Sequence, residues 1–484
     1  MIFDSLGQVR GQHQIEHQQL LPQAGWVEHD GVEIWNRTIE VIQGALKAAN
    51  LKGSDLAAVG ITNQRETAIA WDAQTGKPFH HAIVWQDLRT QDFLSKLTDH
   101  EKSQIEISTG LRIAPYFSAS KMNWLLHNVP EITSALTRGT VRIGTIDSWL
   151  LWNLTGGTNG GKFYTDVTNA SRTMLMNLVT LTWDEDLLSI FEIPKSVLAE
   201  IRSSAEIYGY TRIDGPFGAE VPIASMLGDQ HAALVGQGCL ERGKSKTTYG
   251  TGNFALLNTG SEIVRSQNGL LSTVAYQFAG QPAQYAVEGS VAVTGSAVQW
   301  LRDQLGIISS ASEIEPLASS VADTGGLYFV PAFSGLFAPY WRADARGVIV
   351  GMSRSTTKAH LARATLEAIC YQTRDVIEAM AADTGIHIKS LHVDGGITAN
   401  SLCMQMQADI LGIEIVRASI METTSFGAAY AAGLTLGFWG NEDPIRDHQY
   451  TSTSWVPQTD EQVRQNGYAK WKIAIERSLN WSVE

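Results

Sequence analysis

Short apolar runs of strand character alternate with helix-period segments along the whole chain, and this alternation limits the possible folds more than any other feature. Residues 57–62 (AAVGIT) form a buried-strand run. It follows a segment in which Ile34, Trp35, Ile39, Ile42, Leu46 and Ala49 fall mainly at spacings of three and four, as on one helix face. The spacing also predicts a helix around 121–127 and a strand near 141–144. Residues 227–236 (LGDQHAALVG) read as a loop feeding an alanine-rich helix. The pattern then changes to a strand at 246–249, a turn at Gly250-Thr251-Gly252 and a strand at 254–258. A long helix at 358–382 follows, then a strand at 391–394 ending in Gly395-Gly396, and the last helix is placed at 425–436. The expected class is α/β. The change of pattern sets a boundary near 236–244 and two domains, 1–236 and 237–484.

Composition removes several function classes. Of 484 residues, 44% are apolar and 18% charged, which suits a globular chain with large cores. A net charge of −13 argues against sequence-independent nucleic-acid binding. It leaves a nucleotide open, because backbone amides and helix ends hold phosphate on acidic proteins too. Cys239, Cys370 and Cys403 lie far apart with no CxxC pair, so neither a disulfide framework nor a zinc site is expected, and a reducing cytoplasm is the expected location. The first residues, MIFDSLGQVRGQ, lack the pattern of a signal peptide, and no apolar stretch is long enough for membrane insertion.

Several motifs admit a chemical and a structural reading. Residues 238–245 (GCLERGKS) match the P-loop pattern, but here a helix precedes the loop and a strand follows it. Its amides therefore cannot line a helix N-terminus, and the match is read as accidental. Tyr249-Gly250-Thr251-Gly252 can bring amides and a hydroxyl to a phosphate, or be a plain hairpin turn. Asp394-Gly395-Gly396 ends a strand, where α/β sheets bind ligands, or is again a turn. Asp229 precedes a helix and can be a general base or an N-cap. His231 beside it reads as an ordinary first-turn residue. Arg65-Glu66 can donate to and accept from polyol hydroxyls, or form a surface ion pair. Trp85 can cover a small carbon skeleton or fill the core.

These pieces occur together in a recognisable order. Residues 22–30 (PQAGWVEHD), 60–67 (GITNQRET), 82–89 (AIVWQDLR), 116–121 (YFSASK), 165–173 (TDVTNASRT), 228–233 (GDQHAA), 248–252 (TYGTG) and 393–400 (VDGGITAN) resemble the glycerol-kinase branch of the FGGY carbohydrate kinases. Residues 116–128 and 347–367 resemble the two FGGY signatures, and the likeness covers nearly the whole chain. It implies two actin-like (ribonuclease-H-like) domains around a cleft, with glycerol deep inside, ATP mainly on the second domain and Mg2+ accompanying the phosphates. By motif it implies that Arg65, Glu66, Tyr116 and Asp229 hold the glycerol hydroxyls, that Trp85 and Phe254 shield its carbons, and that Gln230 assists. Asp229 would be the general base, and Thr251, Gly295, Gln299, Gly396 and Asn400 would contact the nucleotide. A homo-oligomer, dimer or tetramer, is also implied.

The resemblance has one departure. Family members begin with a strand, a loop resembling DQGTTSSR and a second strand ending in a D-x-x-G turn. Here Met1–Asp4 matches only the end of that second strand. The expectation is a first domain lacking its first strand, with reduced turnover. The alternatives are a pseudokinase that binds without turnover and a sister FGGY kinase acting on another sugar or polyol. Residues 214–220 (DGPFGAE), where some members bind a sugar bisphosphate, contain no arginine, so that regulation is not expected here.

Overall fold

The computed structural model describes residues 1–420, 422–439, 445 and 452–481. The first half contains β1 (Ile2–Phe3), β2 (Val9–Gly11), β3 (Glu28–His29), α1 (Gly31–Ala49), β4 (Val59–Asn63), β5 (Ala68–Asp72), β6 (Ala82–Ile83), α2 (Ser118–Asn128), β7 (Val141–Thr145), α3 (Ile146–Leu154), β8 (Gly209–Tyr210) and β9 (Pro222–Gly228). The second half adds α4 (Asp229–Gly236), β10 (Ser245–Tyr249), β11 (Asn253–Gly260), β12 (Leu271–Tyr276), β13 (Gln284–Val291), α5 (Gly295–Asp303), α6 (Lys358–Thr384), β14 (Ser390–Asp394), β15 (Glu414–Arg417), α7 (Thr423–Leu436), β16 (Thr453–Trp455) and α8 (Glu461–Ser478).

The second half is built on one seven-stranded sheet, in the order β12-β13-β11-β10-β14-β15-β16. Its centre joins an antiparallel β10–β11 hairpin to a parallel β10–β14 pair. Buried Val287, Leu391 and Val393 of this sheet share a core with Leu366, Ile369 and Met380 of α6. α6 runs 27 residues because small and unbranched side chains dominate it, and it stops at Gly385, whose φ of 63° closes the C-cap. Both glycine turns singled out in the sequence leave this sheet: 250–252 between β10 and β11, and 395–396 after β14.

The first half is divided. β3-β6-β5-β7 form an antiparallel sheet, and β8-β9-β4 a second one in which β4 and β9 run parallel with Ile61 opposite Met226. β1 and β2 stand apart as an antiparallel pair, turned by Asp4, whose carboxylate accepts the Leu6 and Gln8 amides at 3.0 and 2.9 Å. Among the described residues, β1 pairs only with β2, and β4 only with β9. Between β1 and β4 lies a cavity of about 680 Å³, lined by residues 1–4 and 59–62, by Val41, Ile42 and Ala45 of α1, and by Ala428 and Ala429 of α7.

α7 ties the halves together. It crosses β4 so closely that a Cβ on Gly60 would lie 2.4 Å from the Ala428 carbonyl oxygen, which accepts from Ser225 Oγ of β9 at 2.7 Å. It crosses α4 through Gly427 and Gly236. A Cβ on Gly427 would meet the Ala232 oxygen at 1.8 Å, and one on Gly236 the Thr423 oxygen at 2.0 Å.

Two expectations need correction. Residues 227–228 are not a loop: β9 runs straight into α4, with Gly228 as the junction. The last helix is α8 rather than 425–436. Its surface is largely charged, but Tyr468, Trp471, Ile475 and Ser478 form a buried stripe at helical spacing.

Candidate active site

The buried strands β4 and β9 deliver their last residues to one place. β4 ends at Asn63, and the chain turns sharply at Arg65-Glu66, where Glu66 takes φ of 62°. Left-handed backbone at a non-glycine residue is strained and is retained where the surroundings over-determine it. Here Ser118 Oγ of α2 donates to the Glu66 carbonyl, and Arg65 and Glu66 side chains are each 2% exposed, so the surface ion-pair reading is excluded. β9 ends at Gly228, and Asp229 opens α4. Asp229 does not cap the helix; Gly228 holds that position. Its Oδ1 lies 3.3 Å from Arg65 Nε and accepts the Gln230 amide at 2.7 Å.

A buried ion network underlies this pair and crosses between the halves. Glu288, in the middle of β13, takes Arg65 Nη1 at 2.6 Å and Nη2 at 2.9 Å, a bidentate pair. Arg172 Nη2 reaches the same carboxylate at 3.1 Å, while its Nε donates to Glu66 at 2.8 Å. Burial alone would push Glu288 up, but the Arg172 and Arg65 guanidiniums overcome it and hold its carboxyl well below the usual range. For Glu66 burial wins, and its carboxyl is pushed up against the pull of Arg65 and Arg172.

The walls are aromatic. The Trp85 ring lies 5.4 Å from Tyr116 and 6.4 Å from Phe254, centroid to centroid. Tyr116 is held from behind by fully buried Lys121, whose ammonium donates to the carbonyls of Pro115, Tyr116 at 2.8 Å and Phe117 at 2.9 Å. Burial pushes that ammonium down to about 7. Gln230 is buried, and its Oε1 receives the Lys246 ammonium at 2.5 Å. Contacts thus bring Arg65, Glu66, Asp229 and Gln230 together, and Trp85 beside Tyr116 and Phe254, where the halves meet.

The residues read as nucleotide contacts form a second group beside it. Gly295 opens α5 against the 250–252 turn: its amide donates to the Gly250 oxygen at 3.1 Å, and a Cβ there would lie 2.5 Å from that atom. The Thr251 oxygen accepts from Ser296 Oγ at 3.0 Å. Gln299 lies one turn along α5 and is exposed. Across the turn, Gly395 takes φ of 91° and packs on the Tyr249 oxygen, which leaves exposed Gly396 with no atom within 4 Å of a would-be Cβ. Asn400 caps the next helix by accepting the Cys403 amide at 2.8 Å. Asp394 sits behind the turn with Oδ2 bound by Gln237 at 2.9 Å and by Thr423, while its buried Oδ1 has no partner. Residues 238–245 lead into β10 rather than a helix, as a chance P-loop match requires.

Sequence reasoning missed Arg172, Glu288, Lys121 and Lys246 as site residues. Glu288 and Lys246 each left a signal, a charged residue inside an otherwise strand-like run (YAVEGSV and KTTY). His231 is fully buried, and burial holds its imidazole well below the usual range, which suits packing rather than proton transfer.

Comparisons with known proteins agree with this geometry. Residues 1–236 match the N-terminal domain, and residues 245–436 the C-terminal domain, of the FGGY family of carbohydrate kinases. A glycerol kinase of Mycobacterium tuberculosis is 59% identical over 99% of this chain and 94% of its own length. Glycerol kinase 1 of Streptomyces coelicolor is 58% identical over 99% of this chain and 96% of its own. The crystal structure of Plasmodium falciparum glycerol kinase with ADP superposes with a TM-score of 0.89 at 37% identity, covering 99% of this chain and 95% of that one. Two actin-like domains are thus the shared architecture, and the chain belongs to the FGGY family of carbohydrate kinases.

Proposed function

We propose that the chain transfers the terminal phosphoryl group of ATP to glycerol, giving sn-glycerol 3-phosphate and ADP. One observation carries the reading: the Asp229 carboxylate is about one-third exposed, while Arg65, Glu66, Arg172 and Glu288 around it are buried. A group so placed faces the pocket with its position fixed from behind. Arg65, Glu66 and Tyr116 offer donors and acceptors for the hydroxyls of a small polyol, and Trp85 and Phe254 offer apolar cover for its carbons. Asp229 takes the proton of the attacking hydroxyl as its oxygen bonds to phosphorus and the ADP oxygen leaves. The relatives named glycerol kinase favour glycerol over another sugar and turnover over binding alone.

ATP would lie along Thr251, Gly295, Gln299, Gly396 and Asn400. Gly250 and Gly396 leave no side chain between backbone and an approaching anion, while Gly252 and Gly295 let the turn pack against the Val291 and Gly250 oxygens. Mg2+ keeps several waters and binds through one or two carboxylates with phosphate oxygens rather than in an all-protein cage. Among the described residues no group of three or more ligating side chains forms such a cage. Asp229, about one-third exposed, fits the smaller donor set. When bound, the ion neutralises charge on the phosphates. The proposal includes a cytoplasmic location and a homo-oligomer, read by light scattering. No helix among the described residues is long and apolar enough to cross a membrane.

The test is ADP release with and without glycerol, against a panel of sugars and polyols. Turnover specific to glycerol is expected, and Asp229→Asn lowers it at least about 10²-fold while glycerol still binds. Turnover on another sugar and not on glycerol refutes the substrate, and an active Asp229→Asn refutes the base.

A further inference from the structure

Lys246 is completely buried in β10, yet it is the meeting point of both halves of the site. Its ammonium has three donors and three acceptors around it: Gln230 Oε1 at 2.5 Å, Thr248 Oγ1 at 3.0 Å and the Phe254 carbonyl at 3.4 Å. Gln230 adjoins Asp229 on α4, Thr248 leads into the 250–252 turn, and Phe254 is part of the aromatic wall. A lysine can only donate, so it determines which end of the Gln230 amide faces it. With the oxygen on Lys246, the amide nitrogen turns to Asp229 Oδ2, 3.3 Å away.

We infer that Lys246 is a positioning residue for the phosphoryl transfer: it orients the Gln230 amide, which holds the Asp229 carboxylate, and it ties that carboxylate to the 250–252 turn. All three donors are engaged within the protein, so Lys246 acts through these neighbours and not by touching phosphate. The inference rests on the reading of Asp229 as base. A purely structural lysine is a poor explanation of the site. Burial pushes its ammonium down to about 8 in spite of Asp394 and Asp229 nearby, so the charge is held at a cost that an apolar side chain of equal length avoids.

That contrast supplies the test. Lys246→Met keeps length and removes the donors. In glycerol and ATP, assayed well below the melting points of both proteins, it should lose at least about tenfold in kcat. Gln230→Leu should show a similar loss. The double variant should fall within about twofold of the worse single variant, because the two residues act in series. Turnover of Lys246→Met within threefold of the parent, or fully additive losses, overturns the inference. Absence of glycerol turnover in the parent overturns the functional reading instead. The orientation claim is then decided by crystal structures of parent and Lys246→Met: a Gln230 side chain that leaves Asp229 in the variant supports it, and an unmoved one overturns it.

Discussion

Glu288→Gln changes a single atom type at the centre of the buried network, and its effect can be worked through atom by atom. Glu288 Oε1 accepts from Arg65 Nη2 at 2.9 Å and Arg172 Nη2 at 3.1 Å, and Oε2 accepts from Arg65 Nη1 at 2.6 Å. An amide has one acceptor oxygen. Its better placement keeps that oxygen on the two-donor side and sets the NH2 group against Arg65 Nη1, donor against donor. The Arg65 guanidinium must turn away, taking Nε from Asp229. Removing one partner of a buried pair costs about 3–5 kcal/mol, against a typical domain stability of about 5–15 kcal/mol. Urea unfolding followed by tryptophan fluorescence should show that loss at neutral pH, and calorimetry should show glycerol binding weakened about tenfold, roughly 1.4 kcal/mol. The loss should shrink in acid. A carboxyl held below its unfolded value of 4.5 contributes stability that is present above that pH and lost as pH falls through the lower folded value. A loss under about 1 kcal/mol with unchanged glycerol affinity refutes the argument, because the network would then anchor neither the fold nor Arg65.

Trp85→Ala should raise the KM for glycerol about tenfold, the scale of one lost apolar contact, and leave the KM for ATP within about twofold; equal effects on both would place Trp85 outside the polyol pocket. Asp147 is fully buried and accepts from Thr165 Oγ1 at 2.7 Å, and burial pushes its carboxyl up to about 6. Its contribution to stability is complete below the unfolded value of 3.8 and lost as pH rises through about 6, so Asp147→Asn should gain on the parent as pH rises from 3.8 to about 6 in thermal melts and keep a constant margin above that. In hydrogen exchange, the β4 amides that face the cavity should exchange well ahead of those paired with β9; equal protection would show that the edge has a partner in solution.

The parts of the site legible in the sequence are those where a run of one period ends in an unlike residue. Arg65-Glu66 after AAVGIT and Asp229 before HAALVG stand at such junctions, and junctions are where parallel strands deliver side chains to a cleft. Glu288 and Lys246 were not legible as site residues for the opposite reason. A lone charge inside a strand reads the same on a solvated face as in a core, and only the placement of β13 between β11 and β12 shows Glu288 to be interior. Arg172 lies in a quoted motif, yet its two carboxylate partners are 106 and 116 positions away. The roles given to Gln299, Gly396 and Asn400 rest on resemblance, since exposed polar residues beside a turn carry little pattern of their own. α8 escaped notice because its charged outer face masks the stripe at Tyr468, Trp471 and Ile475.

The crossing of α4 and α7 at Gly236 and Gly427 has a mechanical consequence. Helices normally resist rotating on one another because side-chain ridges must climb out of grooves. Here backbone meets backbone with no side chain between, so the contact is a smooth bearing. Asp229 sits at the N-terminal end of α4, three residues from the near edge of the bearing at Ala232 and seven residues, about 10 Å, from its far edge at Gly236. On a lever of that length, a rotation of about 6° moves the carboxylate by about 1 Å, the scale on which a misplaced reacting group loses its rate advantage. Swings too small to register as domain closure would therefore be enough to carry the base proposed at Asp229 in and out of reach of a bound hydroxyl.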